Sequence, residues 1–270
     1  MRAVAQHPDV LVVTSALLHV NCLIVRGPDA QAGAGSGGEP DRETLVIDSP
    51  VLPDELDALP ALLEQARFPA PSGALATHGD WDHLLAPLAF PGIAIGCAES
   101  TAERLRAAPG EPQRALRAFD EDLMIARERP LALGSLQALP VPGRCALGAG
   151  ELELHPAAGH TADGMAILIP WARVLAPGDY LSPLELPTLS RGALDAYLAT
   201  LERLRPLLGG CEHVVPGHGP VLEATAALAL LEEDAAYLHA LRRDGAGAPL
   251  PDGRRGAAQR RLHAENVAAL

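Results

Sequence analysis

Short apolar runs alternate along this chain with longer segments whose apolar residues recur at helical spacing. Runs of the first kind predict buried β-strands, and the helical spacing predicts amphipathic helices. The predicted strands are Val10–Thr14, Asn21–Val25, Leu45–Asp48, Gly73–Ala76, Ile93–Gly96, Leu152–His155, Arg173–Leu175 and one beginning at His213. The predicted helices are Pro53–Ala66, Glu99–Ala108, Gln113–Ala126, Ala193–Leu208, 224–243 and 257–270. Strands and helices mixed in this way along one chain predict an α/β fold.

Two segments depart from this pattern. Residues 27–43 contain the glycine-rich stretch Gly33–Gly38, which predicts a flexible polar hairpin loop. A phosphate-binding loop is rejected, because neither a Lys nor the start of a helix follows these glycines. Residues 109–140 combine Pro and mixed charge with one helical segment. A wall over a functional site and a plain linker between sheet halves fit that composition equally.

The composition predicts a sizeable core under an acidic surface. The chain has 270 residues, 48% of them hydrophobic, which is enough for one large domain or two small ones. Its 34 acidic residues outnumber its 21 basic residues, all of them Arg, and the formal net charge is −13. Such a surface repels phosphate backbones, which argues against nucleic-acid binding. Arg pairs at 242–243, 254–255 and 260–261 are interpreted as solvated helix faces.

Cysteine usage and the N-terminal region both bear on the compartment. The four cysteines lie far apart with no Cys-x-x-Cys spacing, which predicts free thiols in a reducing environment; they are Cys22, Cys97, Cys145 and Cys211. The apolar stretch Val10–Val25 is interrupted by Thr14, Ser15, His19 and Asn21, so it predicts neither a signal peptide nor a membrane span. We therefore expect a cytoplasmic protein with no membrane partner.

Potential metal ligands are concentrated directly after the strand Gly73–Ala76. His78, Asp80, Asp82 and His83 lie within one short segment between that strand and a helix-compatible apolar run. Ligands of α/β proteins usually bind at such strand ends. Imidazole and carboxylate together suit Zn²⁺, Fe²⁺ or Mn²⁺. A polar loop that merely contains these residues is the alternative.

Three later turns repeat the arrangement and argue against that alternative. His160 follows a glycine after the strand Leu152–His155, Asp179 follows Gly178 after another strand, and His218 lies in a Pro-Gly-His-Gly turn. Glycine permits backbone conformations that other residues resist, so each ligand can be directed sharply toward one point. Four such turns in one chain predict a common metal centre.

In these motifs the sequence resembles the metallo-β-lactamase-fold hydrolase superfamily, as a glyoxalase II-like member. The family pattern is His-x-His-x-Asp-His, followed by Gly-His-Thr, Gly-Asp and Pro-Gly-His-Gly turns, and it covers roughly residues 10 to 220 here. The resemblance implies a four-layer αββα sandwich with the site along one edge. It implies a catalytic domain over residues 1–223, with residues 224–270 as a helical extension of that domain.

The resemblance also implies a ligand set for two divalent metal ions. His78, Asp80 and His160 would form one site, and Asp82, His83 and His218 the other, with Asp179 bridging both. Zn²⁺ is the metal expected from the family.

The sequence departs from the family pattern at Asp80, which replaces the second His. The replacement makes the first site harder and more negative, which favours Fe or Mn relative to Zn²⁺. Flavodiiron proteins of the same superfamily also carry a carboxylate (Glu) at this position, although they need an attached flavodoxin-like domain.

Further residues receive roles from the same resemblance. Asp82 is expected to orient the nucleophile or carry a proton in addition to binding metal. Asp48, Thr77 and Thr161 are expected to support the ligands from behind. The residues expected to border the substrate are Trp81, Tyr180 and Ser182, with Leu181 and Glu185 beside them. His19 and His213 are interpreted as structural, and Tyr180 packing in the core is the alternative to its pocket role.

These implications predict a hydrolase that uses a metal-bridged hydroxide on a small-molecule ester, thioester or lactone. The alternatives are an iron-dependent oxidoreductase of the same fold, a phosphodiesterase, or a non-catalytic metal-binding member. A β-lactamase is not expected, because the sequence shows no secretory signal. The C-terminal helix is expected either to close over the site or to make a homodimer contact.

Overall fold

A computed structural model describes residues 1–29, 42–190 and 192–270 of the chain. The glycine-rich stretch predicted as a hairpin loop, Gly33–Gly38, lies outside the described residues. The described residues form two sheets, and each strand follows its neighbour in chain order across its sheet. The first sheet has seven strands, β1 Arg2–His7, β2 Val10–Thr14, β3 Asn21–Arg26, β4 Thr44–Ile47, β5 Gly73–Leu75, β6 Ile95–Ala98 and β7 Leu136–Leu139. The second has six, β8 Gly143–Leu147, β9 Gly150–Pro156, β10 Met165–Ile169, β11 Val174–Ala176, β12 His213–Val214 and β13 Leu222–Glu223.

Strand direction changes partway across the first sheet. Strands β1 to β4 pair antiparallel, whereas β4 to β7 run parallel and require crossover connections. Helices supply those crossovers and also cover the second sheet; they are α1 Pro53–Ala66, α2 Ala86–Ala89, α3 Glu99–Ala107, α4 Glu111–Leu123, α5 Leu194–Leu208, α6 Ala224–Asp244 and α7 Ala257–Ala269. The parallel half therefore presents the ends of β4 and β5 at one edge, where the turn carrying His78 begins.

Three apolar clusters separate the layers. One lies between the sheets and takes side chains from both, such as Leu23 and Ile47 from the first and Leu154 and Ile167 from the second. A second cluster packs helices α1 to α4 on the outer face of the first sheet, and a third packs α5 and α6 on the outer face of the second. The order is thus helix, sheet, sheet, helix, which confirms the predicted αββα sandwich.

The structure corrects some details of the sequence prediction. Strand β1 was not predicted, because none of its side chains is fully buried and its apolar signal is weak. The helix after the ligand turn is only four residues long, and a 3₁₀ turn at Trp81–His83 precedes it. Arg254 does not lie on a solvated helix face, as its pair with Arg255 suggested; it is 3% exposed in the loop before α7. The buried Asp234 carboxylate, Glu233 and the Glu185 carbonyl bind this guanidinium in place of water.

Residues 109–140 are more than a linker. Helix α4 packs its Phe119 ring 4.5 Å from the ring of Trp81, in the ligand-bearing turn.

Among the described residues, no helix is both long and apolar enough to cross a membrane. All four cysteines are free thiols, with Cys22, Cys97 and Cys211 buried and Cys145 partly exposed.

Candidate metal centre

The turn after β5 carries four of the predicted ligands into the edge between the two sheets. His78, Asp82 and His83 are buried, and Asp80 is one-third exposed at the rim. Asp82 and His83 are adjacent in the 3₁₀ turn Trp81–His83, and both side chains reach the same cluster. The second sheet brings His160, Asp179 and His218 to the same place from its own strand ends.

One group of ligand atoms forms around His78 and His160. The Asp179 Oδ2 atom lies 3.3 Å from His160 Nε2 and 3.8 Å from His78 Nε2. The Asp80 Oδ2 atom lies 3.6 Å from His78 Nε2 and 3.7 Å from His160 Nε2. One carboxylate oxygen of Asp80 therefore faces the same point as the two imidazoles.

A second group forms around His83 and His218. The Asp82 Oδ2 atom lies 3.4 Å from His218 Nε2 and 3.8 Å from His83 Nε2. Asp179 reaches this group as well, with Oδ1 3.3 Å from His83 Nε2 and Oδ2 3.2 Å from His218 Nε2. The Asp179 carboxylate thus lies between the two groups.

These groups fit divalent metal ions. His78 Nε2, His83 Nε2 and Asp179 Oδ1 are buried in the cluster without hydrogen-bond partners, which is costly for polar atoms in a protein interior. Bonds of about 2.0–2.1 Å in tetrahedral geometry separate ligand atoms by about 3.3 Å, close to the shorter spacings here. Bound cations would satisfy the unpartnered atoms.

The electrostatics of the cluster also favour bound cations. Burial would raise the pKa of Asp179, but His218, His83 and the other imidazoles outweigh it and hold the pKa well below its usual value. Burial would lower the pKa of His218, yet Asp179 and Asp82 raise that pKa to about 10. The pKa of His83 is likewise raised against burial, by Asp179, Asp48 and Asp82. The carboxylates thus attract positive charge, and metal ions would replace protons on the imidazoles.

Asp48 supports the ligand turn from beneath. Its Oδ2 atom lies 2.9 Å from His83 Nδ1 and accepts the Thr77 hydroxyl at 2.9 Å, while Oδ1 accepts the Thr77 amide at 2.8 Å. The Asp48 backbone is left-handed, with φ of 57°, which turns the carboxylate back over the end of β4. The hydrogen bond to Nδ1 directs His83 Nε2 into the cluster.

Other neighbours fix the remaining ligands less directly. The Leu18 carbonyl lies 2.9 Å from His218 Nδ1, and the Thr77 hydroxyl lies 3.2 Å from His78 Nδ1. Tyr180 is 2% exposed and its hydroxyl accepts the His160 amide, so this side chain lies behind a ligand, where it lines a small cavity with His160 and Asp179. Thr161 donates to the Asp163 carbonyl and stabilises its own turn.

Two glycines allow close approaches that a side chain would block. A Cβ at Gly217 would lie 1.9 Å from Asp179 Oδ1. A Cβ at Gly159, whose φ is +132°, would lie 2.4 Å from the Tyr197 backbone. The glycines flanking His218 and His160 are thus required for packing as well as for turn geometry.

Asp80 belongs to a row of charged side chains whose pairing the sequence did not reveal. Arg104 on α3 donates to Asp80 Oδ1 at 2.7 Å and to Asp163 Oδ1 at 2.9 Å. Asp163 is 2% exposed and accepts the Gly79 amide at 3.0 Å. Arg104 and Asp163 are 59 positions apart, and no local pattern marks their pairing.

The segment after Asp179 forms a wall beside the cluster, which we call the 182–190 wall. Ser182 and Glu185 line a small pocket together with His160, Asp179 and His218. The Ser182 hydroxyl accepts the Leu184 amide, and burial raises the pKa of Glu185.

The C-terminal residues hold this wall in place. Arg254 donates to the Glu185 carbonyl at 2.7 Å and pairs with Asp234 on α6. Asn266 on α7 donates to the Pro187 carbonyl at 2.6 Å and accepts the Leu189 amide at 3.0 Å. The C-terminal helices thus contact the site through its wall.

Comparison with known proteins shows which solved structures share this fold. A comparison with family models gave no match, and neither did one with curated protein sequences. Among solved structures, a metallo-beta-lactamase family protein from Thermus thermophilus is 20% identical, with a TM-score of 0.66 over 98% of this chain and 94% of that one. A beta-lactamase domain protein from Burkholderia ambifaria is 19% identical, with a TM-score of 0.65 over 99% and 87%.

A third structure extends the comparison to a longer protein. The stereoselective inverting sec-alkylsulfatase Pisa1 from Pseudomonas sp. is 14% identical, with a TM-score of 0.70, and matches 99% of this chain but 49% of its own length. Together with the αββα layers, these likenesses establish that the chain has the metallo-β-lactamase fold. The resemblance seen in the sequence is therefore confirmed at the level of the fold.

Proposed function

We propose that this protein is a binuclear metal-dependent hydrolase acting on a small-molecule ester, thioester or lactone. The observation that carries the proposal is the pair of three-residue groups, His78–His160–Asp179 and Asp82–His83–His218, each with ligand atoms close enough to share an ion. The central position of Asp179 supports a bridge between two ions. Neighbours of this fold that are named as β-lactamases and an alkylsulfatase support hydrolysis as the reaction class.

The chemistry divides between the cations and the protein. Divalent cations at this centre would lower the pKa of a water molecule and polarise the oxygen of a scissile carbonyl. Asp82 contributes an oxygen to the second group, 3.4 Å from His218 Nε2, where it can orient the nucleophile or accept its proton. Asp48 keeps the His83 ring fixed through the reaction.

Charge and pocket lining favour a small neutral or weakly charged substrate. The formal net charge of −13 disfavours polyanionic nucleic acids. Ser182 and Glu185 border the site, and neither side chain carries a positive charge that would anchor a phosphate. An ester, thioester or lactone therefore ranks above a phosphodiester.

An iron-dependent oxidoreductase is the second candidate, favoured by the carboxylate at Asp80. A harder ligand set raises the relative affinity for iron. The pairing of Asp80 with Arg104 offsets part of that effect, so the hydrolase ranks first.

Elemental analysis of protein purified from several growth media tests the proposal. We expect about two equivalents of Zn or Mn and turnover in a panel of thioesters, esters and lactones, lost on chelation and restored by metal. Iron with oxygen uptake would favour the second candidate. Protein that takes up no metal in any medium would refute both.

A further inference from the structure

Asp80 faces two ways. Its Oδ2 atom lies near His78 and His160, whereas its Oδ1 atom accepts a hydrogen bond from Arg104. A carboxylate with both oxygens free can bind a cation through one or both of them. Here the guanidinium holds one oxygen in a hydrogen bond and places its positive charge there, which favours binding a cation through the other oxygen.

Arg104 is itself held from the opposite side. Its second terminal nitrogen donates to the buried Asp163, which also accepts the Gly79 amide at the start of the ligand turn. Glu111 on α4 lies 3.5 Å from the same guanidinium. A guanidinium stays protonated in proteins, so the Arg104 side chain is a fixed cation held among these carboxylates.

The charge of the ligand set follows from this arrangement. The family pattern has two carboxylates among its ligands, whereas this sequence has three, Asp80, Asp82 and Asp179. The extra negative charge lies 2.7 Å from the Arg104 guanidinium. Arg104 thus offsets the extra negative charge directly at Asp80, although it shares its own charge with Asp163.

An alternative role for Arg104 is to bind an anionic group of the substrate. Both terminal nitrogens already donate to carboxylates, and Glu111 adds a third negative charge. An incoming anion would have to displace one of these partners and would meet the others at close range. The contacts therefore favour a role through Asp80.

We propose that Arg104 is a positioning residue that makes Asp80 a one-oxygen, charge-compensated ligand, a functional substitute for a neutral imidazole. The inference rests on the proposed metal centre and concerns only the group of His78, His160 and Asp179, to which Asp80 is added as a further ligand. It predicts that replacing Arg104 acts on metal affinity through Asp80, and that the effect depends on a carboxylate being present there.

A double-mutant cycle read out as metal affinity tests this inference. Wild-type protein, Arg104→Met, Asp80→His and the double variant are stripped of metal and titrated with Zn²⁺ against a chromophoric chelator. Arg104→Met is expected to weaken the first Zn²⁺ site by about 10–100-fold, the usual effect of losing a support for a ligand, because the lost orientation of Asp80 outweighs the gain in negative charge. In the Asp80→His background the same substitution is expected to cause no loss.

The control is Arg106→Met, which removes the same charge from an exposed position on the same helix. Thermal melting of the metal-free proteins checks that each variant is folded. The inference is overturned if Arg104→Met weakens Zn²⁺ binding no more than Arg106→Met, or equally in both Asp80 backgrounds. Wild-type protein that binds no metal would refute the proposed function itself.

Discussion

The Asp48 carboxylate lies 2.9 Å from His83 Nδ1 and binds both the amide and the hydroxyl of Thr77. One buried side chain at the end of β4 thus fixes the direction of a ligand ring and the start of the ligand turn after β5. The two strands are parallel neighbours, so their ends are held at a constant separation. The geometry of the candidate metal centre therefore depends on the ends of β4 and β5 as much as on the ligand residues themselves.

Asp48→Asn is expected to lower Zn²⁺ affinity by about 10–100-fold while leaving the fold intact. Asn tolerates the left-handed backbone of this position, so the change removes charge without adding backbone strain. Chelator competition measures the affinity. Asp54→Asn, at an exposed position in α1, is the control, and equal affinities in the two variants would contradict the supporting role.

His160→Ala is expected to lose metal and activity while the purified protein stays folded. The His160 side chain contributes Nε2 to the first group, and its Nδ1 has no hydrogen-bond partner, so its removal breaks little else. Metal content by elemental analysis is the measurement. His213→Ala, on a strand away from the cluster, should keep its metal; unchanged metal in His160→Ala would refute the site.

Asp80→His is expected to shift metal preference toward Zn²⁺. Imidazole is a softer ligand than carboxylate, and the substitution removes one negative charge from the first group. Competition between Zn²⁺ and Mn²⁺ in one sample, followed by elemental analysis, gives the preference directly. A ratio identical to that of the wild type would show that Asp80 does not bind the ion.

Gly217→Ala is expected to weaken metal binding by at least about tenfold, on the scale of other changes that misplace a ligand. The new Cβ would overlap Asp179 Oδ1, so the carboxylate between the two groups must move. Gly210→Ala is the control, because a Cβ there comes no closer than 3.7 Å to its nearest neighbour. The prediction fails if both variants bind Zn²⁺ as the wild type does.

Asn266→Ala is expected to lower the free energy of unfolding by about 1–3 kcal/mol, because it leaves the Pro187 carbonyl and the Leu189 amide without their buried partners. Denaturant titration measures the loss. Gln259→Ala removes an exposed amide contact to Leu184 and should change stability far less. If both variants lose the same free energy of unfolding, the buried hydrogen bonds of Asn266 do not stabilise the 182–190 wall.

The sequence predicted what is encoded locally. Helix α1 was predicted with its observed bounds, since Pro at its start and acids in its first turn are local signals. The ligand turns were recognisable because each motif is a few residues long. Arg104, Arg254 and Asn266 were assigned no role at the site, because their partners lie 24 to 79 positions away. Such pairings are set by packing between layers, which a single sequence does not reveal.

The 182–190 wall and the metal ligands depend on different parts of the chain. The ligands lie at strand ends between the sheets, whereas Arg254 and Asn266 hold the wall from the C-terminal loop and helix. Under the proposed function, a substitution in α7 would therefore alter which molecules enter without disturbing the ligands of the ions. Selectivity and reactivity would then be separately adjustable, and the last helix would be the place to begin directed evolution of new substrate ranges.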